Sequence, residues 1–282
     1  MVGKIKKIFA VWAVFIAVLL VFGCQSTRVA QNEIDAYDVL TENSVLYVKI
    51  PVKENKDIFS LFCSRVGELD DKTISDLYKY FDEIFVSQRE DDGSFEAVIK
   101  GKFPSSVKSF LKSKDFEKNS FEKNGRAIDF YKRVGENHFQ FAFLDKNTLC
   151  MSGNVGLMLD RFVSGAPQNE LVDKVKDRFS AMNSENMLFF MPQFENFFAT
   201  SEALKEMMGN LDCVYGFSYL KDDGSLDSDM YIELRDKSSP YALNGLARAF
   251  KFLLALTGEN ISVEVEEDKD RIHLTHMSVF DF

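Results

Sequence analysis

The sequence predicts an α+β protein: a tandem duplication of a βαββαβ-like unit with extra antiparallel strands, its helices packed on antiparallel sheets. Three observations predict it. The tetrapeptide Asp-Asp-Gly-Ser occurs at 91–94 and again at 222–225, each time between two strand-like runs. Apolar runs closed by a proline, at Pro51 and Pro192, precede helical spacing in both halves. A Ser-Ser pair suited to capping a helix follows each acidic turn, at 105–106 and 238–239. The offset between copies is 141 residues at the prolines, 131 at the turns and 133 at the serine pairs. The drift follows if the first helical connection is ten residues longer in the first copy. So long a period marks a duplicated domain and not a solenoid, whose repeats run roughly 20–50 residues.

Each element has a local cause. Residues 25–42 are polar and read as a tether, with one short helical stretch at 34–40. SVLYVKIP, at Ser44–Pro51, is dense in β-branched and aromatic residues and ends at proline, which makes it a strand. Ile58, Leu61, Phe62 and Leu69 recur at helical spacing. Ile74, Leu77, Tyr78 and Phe81 do so again after the capping Asp70-Asp71. Strands at 83–89 and 95–103 flank the first acidic turn. In the second of these, Phe95, Ala97, Ile99 and Phe103 alternate with Glu96, Lys100 and Lys102. A capped helix then carries Val107, Phe110 and Leu111. Antiparallel strands at 126–134, 138–145 and 148–152 close the first copy. A helix at 155–163, a break at Gly165-Ala166-Pro167 and a connecting helix at 169–182 follow.

The second copy repeats the pattern. It has a strand at 186–192, then helical spacing through Phe194, Phe197, Phe198, Leu204, Met207, Met208 and Leu211. Strands at 213–220 and 226–234 flank the second acidic turn. Along the latter, Leu226, Met230, Ile232 and Leu234 face one way, and Asp227, Asp229, Tyr231 and Glu233 the other. A helix opens at Pro240, a favoured first-turn placement, and a hairpin of 261–266 and 271–280 ends the chain. This order is that of a split βαβ unit. The organisation expected is therefore 1–23 signal peptide, 24–42 lipidated polar tether, 43–165 first repeat, 166–185 connecting helix and linker, and 186–282 second repeat.

The N-terminus supplies an address. Lys4, Lys6 and Lys7 precede an unbroken apolar run of 15 residues, Ile8 to Phe22. That is short of the roughly 20 residues a spanning helix needs and is the pattern of a signal peptide. Val21-Phe22-Gly23-Cys24 resembles the lipobox of bacterial lipoproteins, with Phe22 and Val21 standing where a small residue and Leu are usual. An uncleaved signal anchor is the alternative those departures leave. The resemblance covers about 24 residues and implies acylation of Cys24, which would hold the body to a membrane through acyl chains. Gln25 stands where enteric-type lipoproteins carry the Asp of inner-membrane retention, so the outer membrane is weakly preferred.

Composition narrows the function classes. The formal net charge is −10, and removing 1–23 takes away three lysines and no acid. Such acidity argues against nucleic acid as a partner. No P-loop, G-x-G-x-x-G or G-x-S-x-G motif occurs, so no catalytic residue and no cofactor is assigned. Asp223, Ser225, Asp227 and Asp229 echo a calcium loop only superficially, because alternate strand positions spread along a line. His273 and His276, three apart on a strand, should point to opposite faces, so no metal is assigned. Cys63, Cys150 and Cys213 are an odd, widely spaced set that reads as buried thiols, with a Cys150–Cys213 bridge left open.

The helix over 241–256 is apolar almost all round, which buries it on most sides. It sits between the repeats, lines an apolar-ligand cavity through Leu243, Leu246, Phe250, Leu253 and Leu254, or presents a partner-binding groove. The 28 phenylalanines are consistent with an aromatic-lined cavity, as well as with biased codon usage. The leading function is a non-catalytic, membrane-anchored envelope lipoprotein that binds a protein or envelope partner. The alternative is a carrier or sensor of an apolar ligand or lipid, and a hydrolase without a recognisable motif comes third. Replacing Cys24 with Ala should release the protein from membranes or block its processing, read by fractionation and mobility. Unchanged membrane attachment would remove the acylation reading.

Overall fold

Short runs of alternating side chains, separated by glycine and acidic corners, give antiparallel hairpins in both halves of the described chain. The computed structural model describes residues 34–65, 71–105, 116–134, 140–165, 169–182, 185–192, 211–235, 240–255, 262–266 and 270–277. The signal peptide and Cys24 lie outside these, as do the helical stretches expected at 107–111 and 194–210. Among the described residues no helix is long and apolar enough to cross a membrane. The chain separates into two units.

The first unit comprises the residues up to Ser44 and Lys49–Val172. It carries β1 (Ser44–Pro51), α1 (Lys56–Arg65), α2 (Asp71–Tyr80), β2 (Phe81–Arg89), β3 (Phe95–Gly101), β4 (Phe116–Lys123), β5 (Arg126–Arg133), β6 (Gln140–Phe143), β7 (Thr148–Ser152) and α3 (Val155–Ser164). The strands neighbour one another in the order β1-β2-β3-β7-β6-β5-β4. The pairs from β2 to β4 are all antiparallel. β3 and β7 are buried on both faces, and every residue of β7 is buried. Leu149-Cys150-Met151 of β7 is the unbroken apolar run of a strand covered on both sides, whereas β3 buries the charged Glu96 among apolar residues. Phe81, Phe103 and Phe143 meet edge-to-face at 6.0 and 5.4 Å, a favoured aromatic geometry.

The expected tether docks onto this unit at its far end. Asp35 caps a 3₁₀ turn at Ala36–Asp38 by accepting from the Tyr37 N–H at 2.9 Å. Ala36, Val39 and Leu40 are buried, and Tyr37 meets Phe85 edge-on at 5.4 Å. Polar bonds fasten the segment. Arg161 Nε of α3 donates to the Val39 carbonyl at 2.8 Å, and the Thr41 N–H donates to Glu96 Oε2 at 2.8 Å. Glu96 is wholly buried, and its carboxylate is held by the Arg161 guanidinium and, at 3.5 Å, by Arg89.

The second unit comprises Val45–Val48 of β1 and Asp173–Asp281. It carries most of α4 (Glu170–Met182), then β8 (Met187–Met191), β9 (Leu211–Leu220), β10 (Leu226–Leu234), α5 (Pro240–Ala255), β11 (Ser262–Glu266) and β12 (Arg271–Met277). The strand order is β8-β9-β10-β12-β11, with every pair antiparallel. Phe189, Val214, Met230, Ile232, Ile272 and Leu274 form the core with the inner face of α5, and Leu46 and Val48 pack at its margin. Gly216 is required by close approach. A Cβ there would stand 2.0 Å from the Asp229 carbonyl oxygen and 2.9 Å from the Phe189 ring.

The strands follow one another sequentially, so neither unit has the interleaved order of a split βαβ motif. Three consecutive strands lie side by side, and a later hairpin joins the edge of the third. The hairpins β6–β7 and β11–β12 occupy that same place beside β3 and β10. The first unit adds β4–β5, which the sequence had not indicated as far as β4. Its corner, Asn124-Gly125, has φ of 52° and 74°, the left-handed pair that a two-residue hairpin demands.

Both Asp-Asp-Gly-Ser corners close hairpins. Gly93 and Gly224 have φ of 67° and 80°, and Asp92 and Asp223 each accept from the serine N–H two residues on, at 2.8 and 2.9 Å. The first loop is one residue longer, closed by Arg89 N–H to Ser94 O, whereas the second is closed by Lys221 N–H to Ser225 O.

Arg161→Met should destabilise the protein by about 3 kcal/mol, because it strands a buried carboxylate with one distant guanidinium. Urea unfolding measures the loss, and a change below about 0.5 kcal/mol, the range of ordinary surface substitutions, would deny the pair its role.

Candidate functional site

The side chains singled out in the sequence separate into two groups in the second unit. On one face of its sheet, α5 buries Leu243, Leu246, Ala247 and Phe250 in the core. Leu253 and Leu254 belong to the last turn of α5, where side chains lie outside the description. The helix is not enclosed on most sides. Gly245, Arg248, Lys251 and Phe252 are exposed, Phe252 by 66%.

The opposite face is polar and aromatic, because alternate residues of four strands project there. Phe190, Tyr215, Tyr231 and His273 form a stack across β8, β9, β10 and β12. Successive centroids stand 6.4, 5.4 and 4.4 Å apart, with interplanar angles of 20°, 30° and 17°. Arg178 of α4 lies over the Tyr215 ring at 5.5 Å, and Arg271 lies over Tyr231 at 4.1 Å. These are cation–π distances. Glu233 joins the stack to the helix, accepting from the Tyr215 hydroxyl at 2.8 Å and from Arg178 at 2.8 and 3.1 Å. Arg271 donates to the Tyr215 oxygen at 2.9 Å and to Glu266 at 2.8 Å. Burial, with the Glu233 charge adding to it, pushes the Tyr215 phenol well above its ordinary range. The phenol is therefore a neutral donor and not a base.

His273 and His276 do not point to opposite faces. Along β12 the register passes from Met230↔Leu274 to Ser228↔Met277, so Thr275 and His276 together oppose the single residue Asp229. This is a β-bulge, and His276 takes φ 63° in it. The extra residue restores His276 to the face of His273. His276 Nδ1 lies 3.1 Å from Asp227 Oδ2, and His273 Nε2 lies 3.9 Å from Asp229 Oδ2. Asp227 is nearly fully buried, with Lys221 Nζ 3.8 Å from the same oxygen. The residues that echo a calcium loop in sequence are dispersed: Asp223 caps its own turn, Asp227 meets His276, and Asp229 faces His273.

Asp212, Cys213 and Glu233 bring three potential metal ligands together. Their charges are already answered, however. Lys174 pairs with Asp212, and Arg178 with Glu233. Burial pushes the Cys213 thiol up to about 12. Cys150, which donates to the Ala142 carbonyl at 3.4 Å, is likewise pushed up to about 12 by burial. Both cysteines are free thiols, which rules out the Cys150–Cys213 bridge. Cys63 lies in α1, its side chain outside the description.

No family model and no curated protein matches the sequence. The fold is similar to that of a protein designated TP0453, seen in several crystal forms. Form I gives a TM-score of 0.59 at 13% identity, covering 87% of this chain and 92% of that one. Form IV gives 0.56 at 14%, covering 87% and 94%. Form III gives 0.55 at 14%, covering 88% and 96%. At such identity the likeness concerns the fold: an α+β body with large antiparallel sheets and packed helices.

Cys150 and Cys213 should stay unlabelled by a maleimide at pH 8 in the native protein and react after unfolding in urea, as read by peptide mass mapping. A thiol whose pKa is raised stays protonated below it, so native labelling of either would refute its burial.

Proposed function

We propose that this chain is a lipoprotein of the bacterial cell envelope, held to a membrane through acyl chains on Cys24, whose non-catalytic body binds an apolar ligand against α5. The observation that carries the reading is the apolar surface of that helix, which runs beyond what its sheet covers. Leu243, Leu246, Ala247 and Phe250 are buried, Ala249 is half-buried and Phe252 is open. Leu253 and Leu254 prolong the apolar run in sequence. Contacts of this kind are non-directional, so an acyl or aromatic ligand replaces side-chain contacts with little penalty.

The two units are copies of one ancestral unit, repeat boundaries lying near 43–165 and 186–282. The like strand order and the two acidic corners support this. Gln25 favours the outer membrane over the inner. A second reading rests on Phe252: a protein or envelope partner docks on the exposed side of the same helix.

The chain from residue 25, purified without detergent, should carry lipid or fatty acid at about one molecule per chain under native mass spectrometry. It should also take up a fluorescent fatty acid once stripped. Phe252→Ser should weaken that uptake, and it should abolish capture by an envelope partner if the second reading holds. A body that never carries lipid and takes up none would refute the carrier reading.

A further inference from the structure

The strand order of the first unit ends on β4, which among the described residues pairs with β5 alone. Its Glu117, Lys118, Ser120 and Glu122 are exposed. Asn124 and Gly125 join the two strands as a two-residue turn, so Lys123 and Arg126 flank that turn as a directly opposed pair. In such a hairpin the flanking pair exchanges both backbone bonds, and every second pair repeats this. The bonds to β5 therefore come from positions 117, 119, 121 and 123. The N–H and C=O groups of Lys118, Ser120 and Glu122 turn to the free side, a row that a further strand can pair with.

Charged side chains on an edge ordinarily deter another strand. The order of charges on β4 makes one exception. Laid antiparallel on a second copy of itself about Ser120, FEKNSFEK sets Glu117 against Lys123, Lys118 against Glu122, and Ser120 against Ser120. Opposed residues share a face, so every one of these charges meets its opposite. The pairs that exchange backbone bonds in this register are 120 with 120 and 118 with 122, the positions whose groups are turned outward. A shift of two residues either way, which the backbone alone would also accept, leaves no ion pair within the strand. Phe121 then lies opposite Asn119, and the two Phe121 rings fall on a diagonal across the axis, within aromatic reach.

Existing contacts leave room for the second strand. Lys118 and Lys123 meet Asp129 and Asp160 at 2.6 Å each. An ammonium carries three donors, so each lysine can take a second carboxylate. Glu117 and Glu122 meet no cation among the described residues. At the other end of the strand order, β11 offers Glu264 and Glu266 but no cation, so it cannot answer those two acids.

We infer that β4 is an interface between two copies of this chain, joined antiparallel with Ser120 on a two-fold axis. The same patch serves both copies, and the pair closes on itself. The inference does not rest on what α5 binds.

Sedimentation equilibrium of the full chain in density-matched detergent tests this. About 100 µM chain is needed, because one strand pair falls at the small end of stable interfaces, near 1,200 Å² in all. The parent should be dimeric. Glu117→Lys with Glu122→Lys, and separately Lys118→Glu with Lys123→Glu, give the strand a single sign of charge. Each double variant should be monomeric alone, and the two should associate one to one when mixed. Ser120→Pro removes an N–H that β5 does not use, a placement an edge strand tolerates, and should weaken association about tenfold with the parent circular dichroism kept. Should that variant fail to fold, Ser120→Cys decides. Oxidation should link it into a covalent dimer, since the Cα atoms of a bonded pair stand about 5.5 Å apart, whereas Glu122→Cys, away from the axis, should not link. A monomeric parent would overturn the inference, as would double variants that fail to join when mixed. So would a dimer that survives both charge reversals, the result expected if the apolar leader alone gathered chains in one micelle. Equal linking of Ser120→Cys and Glu122→Cys would reject the register.

Discussion

A buried negative charge must be met where it stands, and this requirement organises both units. Glu96 and Asp227 occupy the same place, two residues beyond the serine of each acidic corner, and both are almost fully withdrawn from solvent. Desolvating a carboxylate is so costly that whatever answers it is fixed in position. In the first unit the answer is two guanidiniums and a backbone N–H, which draws α3 and the end of the tether onto β3. In the second it is an imidazole and a lysine, and the imidazole arrives only because β12 carries a bulge. One sequence position thus meets two arginines in one unit and a histidine and a lysine in the other.

Legibility in the sequence followed the range of the interactions involved. Ser44–Pro51, Thr148–Ser152 and Leu226–Leu234 fall where composition and alternation put them, since strand propensity and turn chemistry act within a few residues. The strand β4 was hidden. FEKNSFEK has no sustained alternation, and only the Asn124-Gly125 that follows it, between two runs of matching length, signals a hairpin. The interleaved order also failed to appear, because the strand–helix succession is compatible with either sequential or interleaved packing. Which neighbour a strand chooses is a long-range matter.

The polar-aromatic face was less readable still. Alternation along 226–234 placed Asp227, Asp229, Tyr231 and Glu233 on one side, and that much holds. What those residues meet could not follow from spacing. Arg178 reaches Glu233 from another element, Tyr215 comes from β9, and His276 depends on a register shift. A strand period of two assigned the histidines to opposite faces, and a single inserted residue reversed that. The positive φ at His276 has no marker in the sequence comparable to a glycine.

The docking of Ala36–Leu40 also limits where the body can go. For a chain acylated at Cys24, residues 25–35 separate the anchor from Ala36, the first described residue that is buried. At full stretch that covers roughly 3.6 Å per residue, or about 40 Å in all. The first unit would then attach within that distance of its own leaflet unless the segment fastened by Arg161 and Glu96 came undone.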